Sequence, residues 1–338
     1  MTGPQTTRRS ALLLAGMLPL SAFALTPAAI AQTKLTKVTF RTDYRFNGWI
    51  APFSLALERG YYRDVGIDLQ IGQGSGSGTT LQTVGSGADD FGLADAATVL
   101  LGVSARDIPV ILTSVYLQTN VVGLIYRPSS GFDGDLSKLK GLPVVSSAGA
   151  ADLTLLQPAL STVGMTLNDV DLRLVDFNAR IPVFLQTPNA VLTGFAAGDF
   201  LRARLKEADV KFKPYADYGI IAYSSGLIAQ RKTVEENPEL VRKMVAASLK
   251  GWEDTIKDPS AAINSGLKLF PDLDAKMVTE SLNIVLSSEL HTAATKGHPI
   301  GWTAESDWVA MIEVLTKYSN MKAKQPSYYY TNRFIATP

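Results

Sequence analysis

The stretch from Gly72 to Leu100, GQGSGSGTTLQTVGSGADDFGLADAATVL, decides how the chain is organised. Glycines and serines lead into apolar residues at helical spacing, and a second glycine pair ends that segment before an apolar run that begins at Phe91. Serine and threonine ahead of a helix cap its free N–H groups, and glycine lets a ligand approach the backbone. The stretch predicts a loop, a short helix, a turn and a buried strand, with the helix start available to an anion or a hydrogen-bond acceptor.

The glycine run fails the tests for three familiar motifs. No third glycine completes a G-x-G-x-x-G dinucleotide fingerprint, no Gly-Lys-Ser/Thr follows to make a P-loop, and the serines lack the glycine offsets of a nucleophile elbow. A Gly/Ser linker is a weaker interpretation, because the run is short and a helical pattern follows at once. A ligand-facing helix start and a tight structural turn remain as alternatives.

Composition bounds the class of protein. The 338 residues are enough for two domains, and a formal net charge of +1 gives no electrostatic argument for nucleic-acid binding. The chain has no cysteine, which removes disulfides, thiolate catalysis and cysteine zinc sites. The two histidines, His291 and His298, lie in a polar stretch, and we expect neither a metal site nor a cofactor.

The first 31 residues have the pattern of an export signal. Arg8 and Arg9 precede an apolar run over 11–25, and Ala29-Ile30-Ala31 fits a small-x-small cleavage site. The paired arginines suggest the twin-arginine route, but the Phe-Leu-Lys that usually follows is missing, so the general secretory route stays open. No later stretch is long and apolar enough to span a bilayer. We expect a soluble periplasmic protein that is cleaved after Ala31.

Strands and helices alternate along the rest of the chain. Apolar or alternating runs predict strands over 37–43, 67–71, 91–94, 108–117, 121–126, 142–145, 170–177, 190–193 and 210–215. Amphipathic helices follow Asn237 and Thr303. The order predicts an α/β protein whose parallel sheets are covered by helices and whose ligand-binding loops lie at the carboxyl ends of the strands.

The loop after the first strand carries an aromatic cluster. Tyr44 and Trp49 offer faces on which a flat ring can stack, whereas we expect Phe46 to pack on the following helix. Asp43 is a candidate either to accept a hydrogen bond from a ligand amine or to cap the helix that begins near Pro52.

Two serine-rich turns open helices in different halves of the chain. We expect these helix starts to face each other across a cleft and to contact the ligand. Their candidate residues are Ser75, Gly76, Ser77, Thr79, Ser146 and Ser147. Asp95, which follows a predicted buried strand, is either a helix cap or a ligand-binding residue.

With these residues in view, the chain resembles the NMT1/THI5-like solute-binding proteins of ABC importers, with sulfonate, taurine and nitrate receptors as neighbours. Asp43-Tyr44 after the first strand, A-x-E-x-G-Y-Y over 56–62 and G-I-D-L over 66–69 carry the resemblance. Leu139-Lys140-Gly141 and the segment 226–239 extend it over nearly the whole mature chain.

The resemblance implies a two-lobed periplasmic binding protein fold of type II. Each lobe would be a mainly parallel sheet flanked by helices, with 33–119 plus 224–338 forming lobe one and 120–223 forming lobe two. Tyr116 and Tyr223 then lie near the crossovers, where they line the cleft or stiffen the hinge. Thr193, at the end of a predicted lobe-two strand, completes the candidate set.

The same resemblance implies a monomeric, non-enzymatic receptor that delivers its solute to an ABC permease driven by a separate ATPase. Pyrimidine-binding members resemble D-W-x-P-N-x-N-H in the first loop. Asp43, Tyr44 and Asn47 fit that pattern here, but Ile50 stands at the histidine place, which departs from pyrimidine binders.

The preferred hypothesis is a receptor for a small aromatic or heteroaromatic solute such as a thiamine pyrimidine precursor. A receptor for a sulfonate, taurine or nitrate-type anion is the alternative, and the lack of arginine or lysine in either serine-rich turn favours the ring. An exported hydrolase lacks a usable nucleophile–base pair. A sensory partner protein would need the same cleft as a receptor and stays open.

Overall fold

The structure is a computed structural model that describes residues 1, 35–119, 122–220, 223–319 and 321–336. The predicted export signal and its cleavage site lie outside the described residues. From Leu35 onward the chain forms a single unit. Among the described residues, no helix has both the length and the apolar character needed to cross a membrane.

The first of two sheets has five strands in the order β2-β1-β3-β10-β4. These strands are β1 (Thr36–Arg41), β2 (Ile67–Gly72), β3 (Phe91–Asp95), β4 (Val110–Val115) and β10 (Ser225–Gln230). β1 pairs in parallel with β2 and β3, while β10 pairs antiparallel with β3 and β4. Every residue of β3 and β4 is buried, as expected for strands covered on both faces.

The second sheet repeats this arrangement in the order β7-β6-β8-β5-β9. Its strands are β5 (Val122–Tyr126), β6 (Pro143–Ser146), β7 (Asp171–Leu174), β8 (Val191–Phe195) and β9 (Lys211–Pro214). β6 is parallel to β7 and β8, and β5 is antiparallel to β8 and β9. Each sheet therefore has four strands in one direction and one inserted strand in the other.

Helices cover both sheets. Around the first sheet they are α1 (Ala51–Glu58), α2 (Tyr61–Asp64), α3 (Ser77–Ser86), α4 (Ala96–Arg106), α8 (Arg231–Glu236), α9 (Pro238–Lys257), α10 (Pro259–Leu269) and α11 (Ala275–Ser288). The second sheet has α5 (Ala151–Ser161), α6 (Arg180–Gln186) and α7 (Leu201–Lys206), and α12 (Glu305–Ser319) packs on α5. We call the first sheet with its helices lobe one, and the second sheet with α5, α6 and α7 lobe two.

Local chemistry explains why these helices begin where they do. Asn237 accepts a hydrogen bond from the Leu240 N–H, and Pro238 follows at the first helical position of α9. Val241, Met244 and Trp252 then bury one stripe of α9 against the core. This is the pattern that the sequence predicts for this helix.

The chain passes between the sheets twice, between β4 and β5 and again between β9 and β10. The predicted lobe boundaries, 119/120 and 223/224, fall inside these two intervals and stay predictions. The architecture confirms the predicted α/β class, with two sheets flanked by helices. It adds β10, which the sequence does not predict as a strand because only a short apolar run around Leu227 precedes the next helix.

Candidate ligand-binding site between the two sheets

Loops at the carboxyl ends of strands from both sheets converge on one small cavity. Its volume is about 10 Å³, enough for roughly one water molecule. The residues that line it are Asp43, Tyr44, Trp49, Gly76, Ser77, Ala150, Ala151, Asp152, Phe177 and Phe195. This is the position at which open α/β sheets place their ligands.

The two serine-rich turns meet at this cavity. The Gly78 N–H in the first turn of α3 donates to the carbonyl oxygen of Gly149 before α5 at 3.0 Å, which joins the lobes by a backbone hydrogen bond. A Cβ on Gly78 would lie 2.9 Å from that oxygen, closer than real Cβ atoms come, so the contact requires glycine. The starts of α3 and α5 therefore face each other, as the sequence predicts.

Four aromatic rings form the walls of the cavity. Trp49 from lobe one stacks on Phe195 from lobe two, with ring centroids 5.8 Å apart and an angle of 28° between the planes. The Tyr44 ring centroid lies 5.6 Å from that of Trp49 and 4.9 Å from that of Phe177, and the Tyr44 and Phe177 planes meet at 67°. Phe46 instead contacts Phe270, which directly follows α10, so its ring contact is with that helix end and not with α1, the following helix on which it was expected to pack.

Asp43 and Asp95 are buried carboxyl groups on the lobe-one side. Asp43 accepts hydrogen bonds from the Trp49 Nε1–H at 3.2 Å and from the Ser225 hydroxyl. Burial raises the pKa of Asp43, and these two bonds oppose the rise. The structure therefore makes Asp43 a partner of the aromatic wall rather than a cap of α1, whose first turn has no side-chain cap.

Asp95 is the cap of α4. Its Oδ1 accepts from the backbone N–H groups of Ala97, at 3.0 Å, and Thr98, at 3.3 Å. Among the described residues its Oδ2 has no hydrogen-bond partner. Burial raises the pKa of Asp95 to about 7, and the nearby Asp43 adds to the rise. The Ser77 hydroxyl accepts from the Asp95 N–H at 3.0 Å, so Ser77 links this cap to the cavity.

On the lobe-two side, Arg180 is buried between two carboxylates. Its Nη1 lies 3.1 Å from both oxygens of Asp152, and its Nη2 lies 3.0 Å from Asp199 Oδ1. The guanidinium also stacks over the Phe177 ring at 4.3 Å. Arg180 and the two aspartates are each 1% exposed, so this ion triad is sealed from solvent.

Thr193 and Ser146 hold Asp152 in place. The Thr193 hydroxyl donates to Asp152 and lies 2.8 Å from the Ser146 hydroxyl, which in turn lies 3.4 Å from Asp152 Oδ2. Both residues were predicted to contact ligand, and the structure places them one step behind the cavity. They orient a carboxylate that does line it.

Tyr44 connects the lobes through Asp199. The Tyr44 hydroxyl donates to Asp199 Oδ1 at 2.6 Å, across the interval between the two sheets. Burial raises the pKa of Tyr44, and the charge on Asp199 raises it further, so the phenol stays protonated and donates. Asp199 lies in a π-helical turn (Ala196–Phe200) directly after β8, a type of irregularity that is frequent at functional sites.

The two tyrosines predicted near the crossovers lie away from this cavity. Tyr116, which directly follows β4, stacks on Trp252 with centroids 5.5 Å apart, inside the core of lobe one. Tyr223 donates to Asp307 at 2.8 Å and accepts from the Ala304 N–H at 2.9 Å, which ties it to α12. Neither tyrosine lines this cavity, and the alternative that they stiffen the hinge stays a prediction.

Four further predicted residues also lie outside the cavity. Asn47 donates to the Arg45 carbonyl and accepts from the Trp49 N–H at 3.1 Å, so it shapes the aromatic loop. Ser147 donates to the Val175 carbonyl at 2.9 Å within lobe two. Ser75 and Thr79 are exposed. Their direct contact with a ligand in the cavity is not supported by this arrangement.

Five cavity residues or close neighbours were missed by the sequence reasoning: Asp152, Phe177, Arg180, Phe195 and Asp199. For three of these residues, the position in the sequence relative to a predicted strand was a usable signal. Asp152 lies in the first turn of α5, the helix that follows β6, Arg180 begins the helix after β7, and Asp199 follows β8. The strand-end rule selected Ser146, Ser147 and Thr193 in this half of the chain and did not extend to the charged residues that follow a few positions later. Among the described residues, no group of three or more acidic or histidine side chains is placed to hold a metal ion.

Two sheets that face each other over a cavity built from strand-end loops define the architecture of periplasmic solute-binding proteins. The chain belongs to the NMT1/THI5-like family, whose model matches residues 47–262. This confirms the predicted family and fold.

The chain is similar to curated proteins of known name over most of its length. It is 25% identical to a riboflavin-binding protein of Chloroflexus aurantiacus, over 94% of this chain and 91% of that protein. It is 23% identical to a formylaminopyrimidine-binding protein of Halalkalibacterium halodurans, over 77% of this chain and 79% of that protein. Another relative, 24% identical over 70% of this chain and 71% of its own length, is named 4-amino-5-hydroxymethyl-2-methylpyrimidine phosphate synthase, from Aspergillus parasiticus.

A solved structure shares the fold. The alkanesulfonate-binding protein from Xanthomonas axonopodis pv. citri, bound to MOPS, superposes with a TM-score of 0.66 at 12% identity, over 86% of this chain and 95% of that chain. The relatives that the chain resembles therefore include proteins named for binding and a protein named for synthesis.

Proposed function

We propose that the chain is a monomeric extracytoplasmic receptor that captures a small, flat heteroaromatic solute between its lobes and delivers it to an ABC permease with its ATPase. The observation that carries the proposal is the stack of Trp49 on Phe195 across the cleft, 5.8 Å between centroids. A flat ring between two aromatic faces needs about 7 Å, since each contact takes about 3.5 Å. A small opening of the lobes is enough to admit one.

The polar groups around the stack favour a ring whose edge carries N–H donors. Asp43 and Asp152 line the cavity, and Asp199 lies directly behind Tyr44. Arg180 pairs its terminal amino groups with Asp152 and Asp199, while its buried Nε–H has no partner among the described residues. Two carboxylates already compensate its single positive charge, which disfavours an incoming anion. The names of two relatives, which specify riboflavin and a formylaminopyrimidine, are consistent with a nitrogen heterocycle.

An anion such as a sulfonate or nitrate is the second candidate. The facing starts of α3 and α5 favour it, because helix N-termini attract negative charge. The buried carboxylates oppose it, because like charges brought together in a desolvated site cost several kcal/mol. A neutral ring that offers an acceptor to the helix starts and donors to the carboxylates satisfies both sets of groups.

We propose binding without turnover. The synthase-named relatives leave an enzyme as the competing reading, but this chain has no cysteine and has Ile50 where pyrimidine-binding sequences of the family have histidine. Its two histidines, His291 and His298, lie outside the residues that line the cavity. The arginine pair and apolar run near the N-terminus support export to the periplasm.

Thermal unfolding of the mature protein against a solute panel tests this proposal. The panel contains riboflavin, aminopyrimidines, aromatic acids, taurine, alkyl sulfonates and nitrate. A ligand at a hundred times its dissociation constant adds about 2.7 kcal/mol of stability, which raises the midpoint by several degrees. We expect a shift with a nitrogen heterocycle.

Two tryptophan variants locate the effect. Trp49→Ala removes a cavity wall and should abolish the shift. The control is Trp302→Ala, which should keep the shift. The Trp302 ring stacks on His298, with centroids 3.7 Å apart, and Trp302 is not among the residues that line the cavity. A shift with sulfonates or nitrate alone would move the ligand to the helix starts, and no shift with any solute would contradict both ligand classes.

A further inference from the structure

The cavity between the lobes is lined by one carboxyl group from each lobe. Asp43 follows β1 in lobe one, and Asp152 lies in the first turn of α5 in lobe two. The two residues are 4% and 1% exposed. Among the described residues that line the cavity, none is basic. A solute in this cavity therefore meets buried acidic groups on both sides and no basic side chain.

The ion triad behind the cavity does not supply a spare positive charge. The guanidinium of Arg180 pairs with Asp152 at 3.1 Å and with Asp199 at 3.0 Å. Two negative charges against one positive charge leave one negative charge in excess. Because all three side chains are sealed from solvent, salt and water screen this excess weakly.

Other positive groups near the cavity offset part of this charge. The starts of α3 and α5 face each other there, and each helix start supplies about half a positive charge. Together the two starts balance the excess of the triad. Arg202 is half-buried, and its guanidinium lies 5.8 Å from the centre of the Tyr44 ring without lining the cavity. The charge of Asp43 is then the one that lacks a partner inside the cavity.

Asp43 has neutral hydrogen-bond partners. It accepts from the Trp49 Nε1–H at 3.2 Å and from the Ser225 hydroxyl. Burial raises the pKa of Asp43, and the two bonds oppose the rise. The charge of Asp43 also adds to the raised pKa of Asp95. A buried carboxylate without a counter-charge is unfavourable, so a cation placed against Asp43 is stabilised.

The aromatic walls of the cavity also suit a positive charge. Trp49 and Phe195 stack across the cleft, and Tyr44 and Phe177 stand beside them. The face of an aromatic ring carries negative electrostatic potential and attracts a cation, and tryptophan does so most strongly. A flat cationic ring between Trp49 and Phe195 gains this attraction in addition to stacking.

We propose that the solute is a cationic nitrogen heterocycle, whose ring lies between Trp49 and Phe195 and whose positive charge lies against Asp43 and Asp152. A neutral ring satisfies the hydrogen-bonding groups of the cavity but leaves the charge of Asp43 unpaired. Because the two carboxyl groups belong to different lobes, one cation between them attracts both lobes and favours closure around the solute. The inference rests on the proposed ring-binding function and adds the charge of the ring.

Three pyridines with the same ring test the charge. 1-Methylnicotinamide carries one positive charge, nicotinamide carries no charge, and nicotinate carries one negative charge. The first two have the same amide N–H groups, so they separate charge from hydrogen bonding. In calorimetry, 1-methylnicotinamide should bind the protein at least about tenfold more tightly than nicotinamide, and nicotinate should bind most weakly.

Asp43→Asn should remove this preference, because asparagine keeps the shape of the side chain and lacks its charge. The affinity for 1-methylnicotinamide should fall about tenfold, while the affinity for nicotinamide should change less than about twofold. The control is Asp89→Asn. Asp89 is a buried aspartate that pairs with Arg41 at 3.1 Å and does not line the cavity, so this variant should leave both affinities unchanged.

The stability of the same two variants tests the unpaired charge without any ligand. Because the pKa of Asp43 is raised in the folded state, this group lowers the stability of the parent as the pH rises. At pH 8, Asp43→Asn should therefore raise the midpoint of urea unfolding. Asp89→Asn leaves Arg41 without its partner and should lower the midpoint. An unchanged or lower midpoint in Asp43→Asn would overturn the proposal.

The outcomes separate this proposal from the proposed function. Equal or tighter binding of nicotinamide would overturn the cationic solute and leave a receptor for neutral rings, as would binding of riboflavin when none of the three pyridines binds. Tightest binding of nicotinate would overturn it in favour of an anion. If no ring compound binds, the ring-binding function fails, and the urea midpoints alone decide whether Asp43 lacks a counter-charge.

Discussion

At the scale of single residues, the site is organised by charges that have no access to water. Arg180 is paired with Asp152 and Asp199 at 1% exposure for all three side chains. A buried ion triad adds less stability than its contacts suggest, because desolvation offsets the attraction, but breaking it is expensive. Its value here is geometric, since one guanidinium orients two carboxylates toward the cleft.

Removal of the Arg180 charge should therefore destabilise the protein strongly. Arg180→Met leaves two buried carboxylates without a partner and should lower the free energy of unfolding by about 3–5 kcal/mol. The comparison is Arg173→Met, which deletes the exposed pair with Asp171. That change should cost less than about 1 kcal/mol. Urea unfolding measures both, and similar losses in the two variants would contradict a sealed triad.

Asp95 should make stability fall as pH rises. Its folded pKa, about 7, is above the ordinary value of 3.8, so the folded state holds this proton over a range in which the unfolded chain has lost it. The stabilisation that protonated Asp95 contributes is therefore fully present below about pH 4. It decreases as the pH rises and is lost near pH 7.

Asp95→Asn keeps the helix cap and removes the titration. Between pH 4.5 and 7.5 the parent should lose more stability than the variant, by a few kcal/mol. Chemical unfolding at a series of pH values measures the difference. Parallel curves for the two proteins would mean that Asp95 is already ionised in the folded state.

At the scale of elements, the two helix starts do more than present N–H groups to a ligand. The Gly78 N–H bonds the Gly149 carbonyl across the lobes, and Gly76 has a φ of +130°, which L side chains rarely adopt. The run, for which the sequence leaves a ligand-facing helix start and a tight structural turn as alternatives, forms a close backbone contact between the lobes. Its composition follows from that contact, because a side chain at position 78 would collide with lobe two.

A methyl group at position 78 should weaken closure of the two lobes without lowering the stability of the folded protein. Gly78→Ala places Cβ 2.9 Å from the Gly149 oxygen only when the lobes are closed. We expect affinity for the solute to fall about tenfold or more, measured by calorimetry. The free energy of unfolding of the empty protein should change little, since alanine is favoured within α3 by up to about 1 kcal/mol.

The neighbouring residue supplies the control for position 78. Thr79 is exposed, and Thr79→Ala should leave affinity unchanged. Retained affinity in Gly78→Ala would mean that the ligand-bound lobes do not approach each other as closely as they do here.

Strand-end reasoning recovered one side of the site and missed the other. Asp43, Trp49 and Ser77 follow recognisable strands in lobe one and lie at the cavity. Asp199 follows β8 within AAGDFLRARLK, which is helical in pattern, and nothing local distinguishes its π-turn. The pairing of Arg180 with both Asp152 and Asp199 is tertiary, so no local spacing could predict it.

At the scale of the whole molecule, the alternation of strands and helices was enough to predict the α/β class. The sheet order was not predictable in the same way. β10 is short and contains Gly226, yet it is the strand that joins β3 to β4. Its role depends on neighbours more than a hundred residues earlier in the chain, which local propensity does not encode.

The insertion of β10 has a consequence for how the protein is made. Lobe two is built from one continuous run of strands, from Val122 to Pro214, and can assemble as soon as that run is available. Lobe one has to wait for Ser225–Gln230, and until then the facing edges of β3 and β4 remain unpaired. Unpaired strand edges template aggregation, so a chain that stalls before residue 225 is a hazard to the cell. We therefore expect the sheet of the second lobe to be completed before that of the first, whose last strand returns from lobe two.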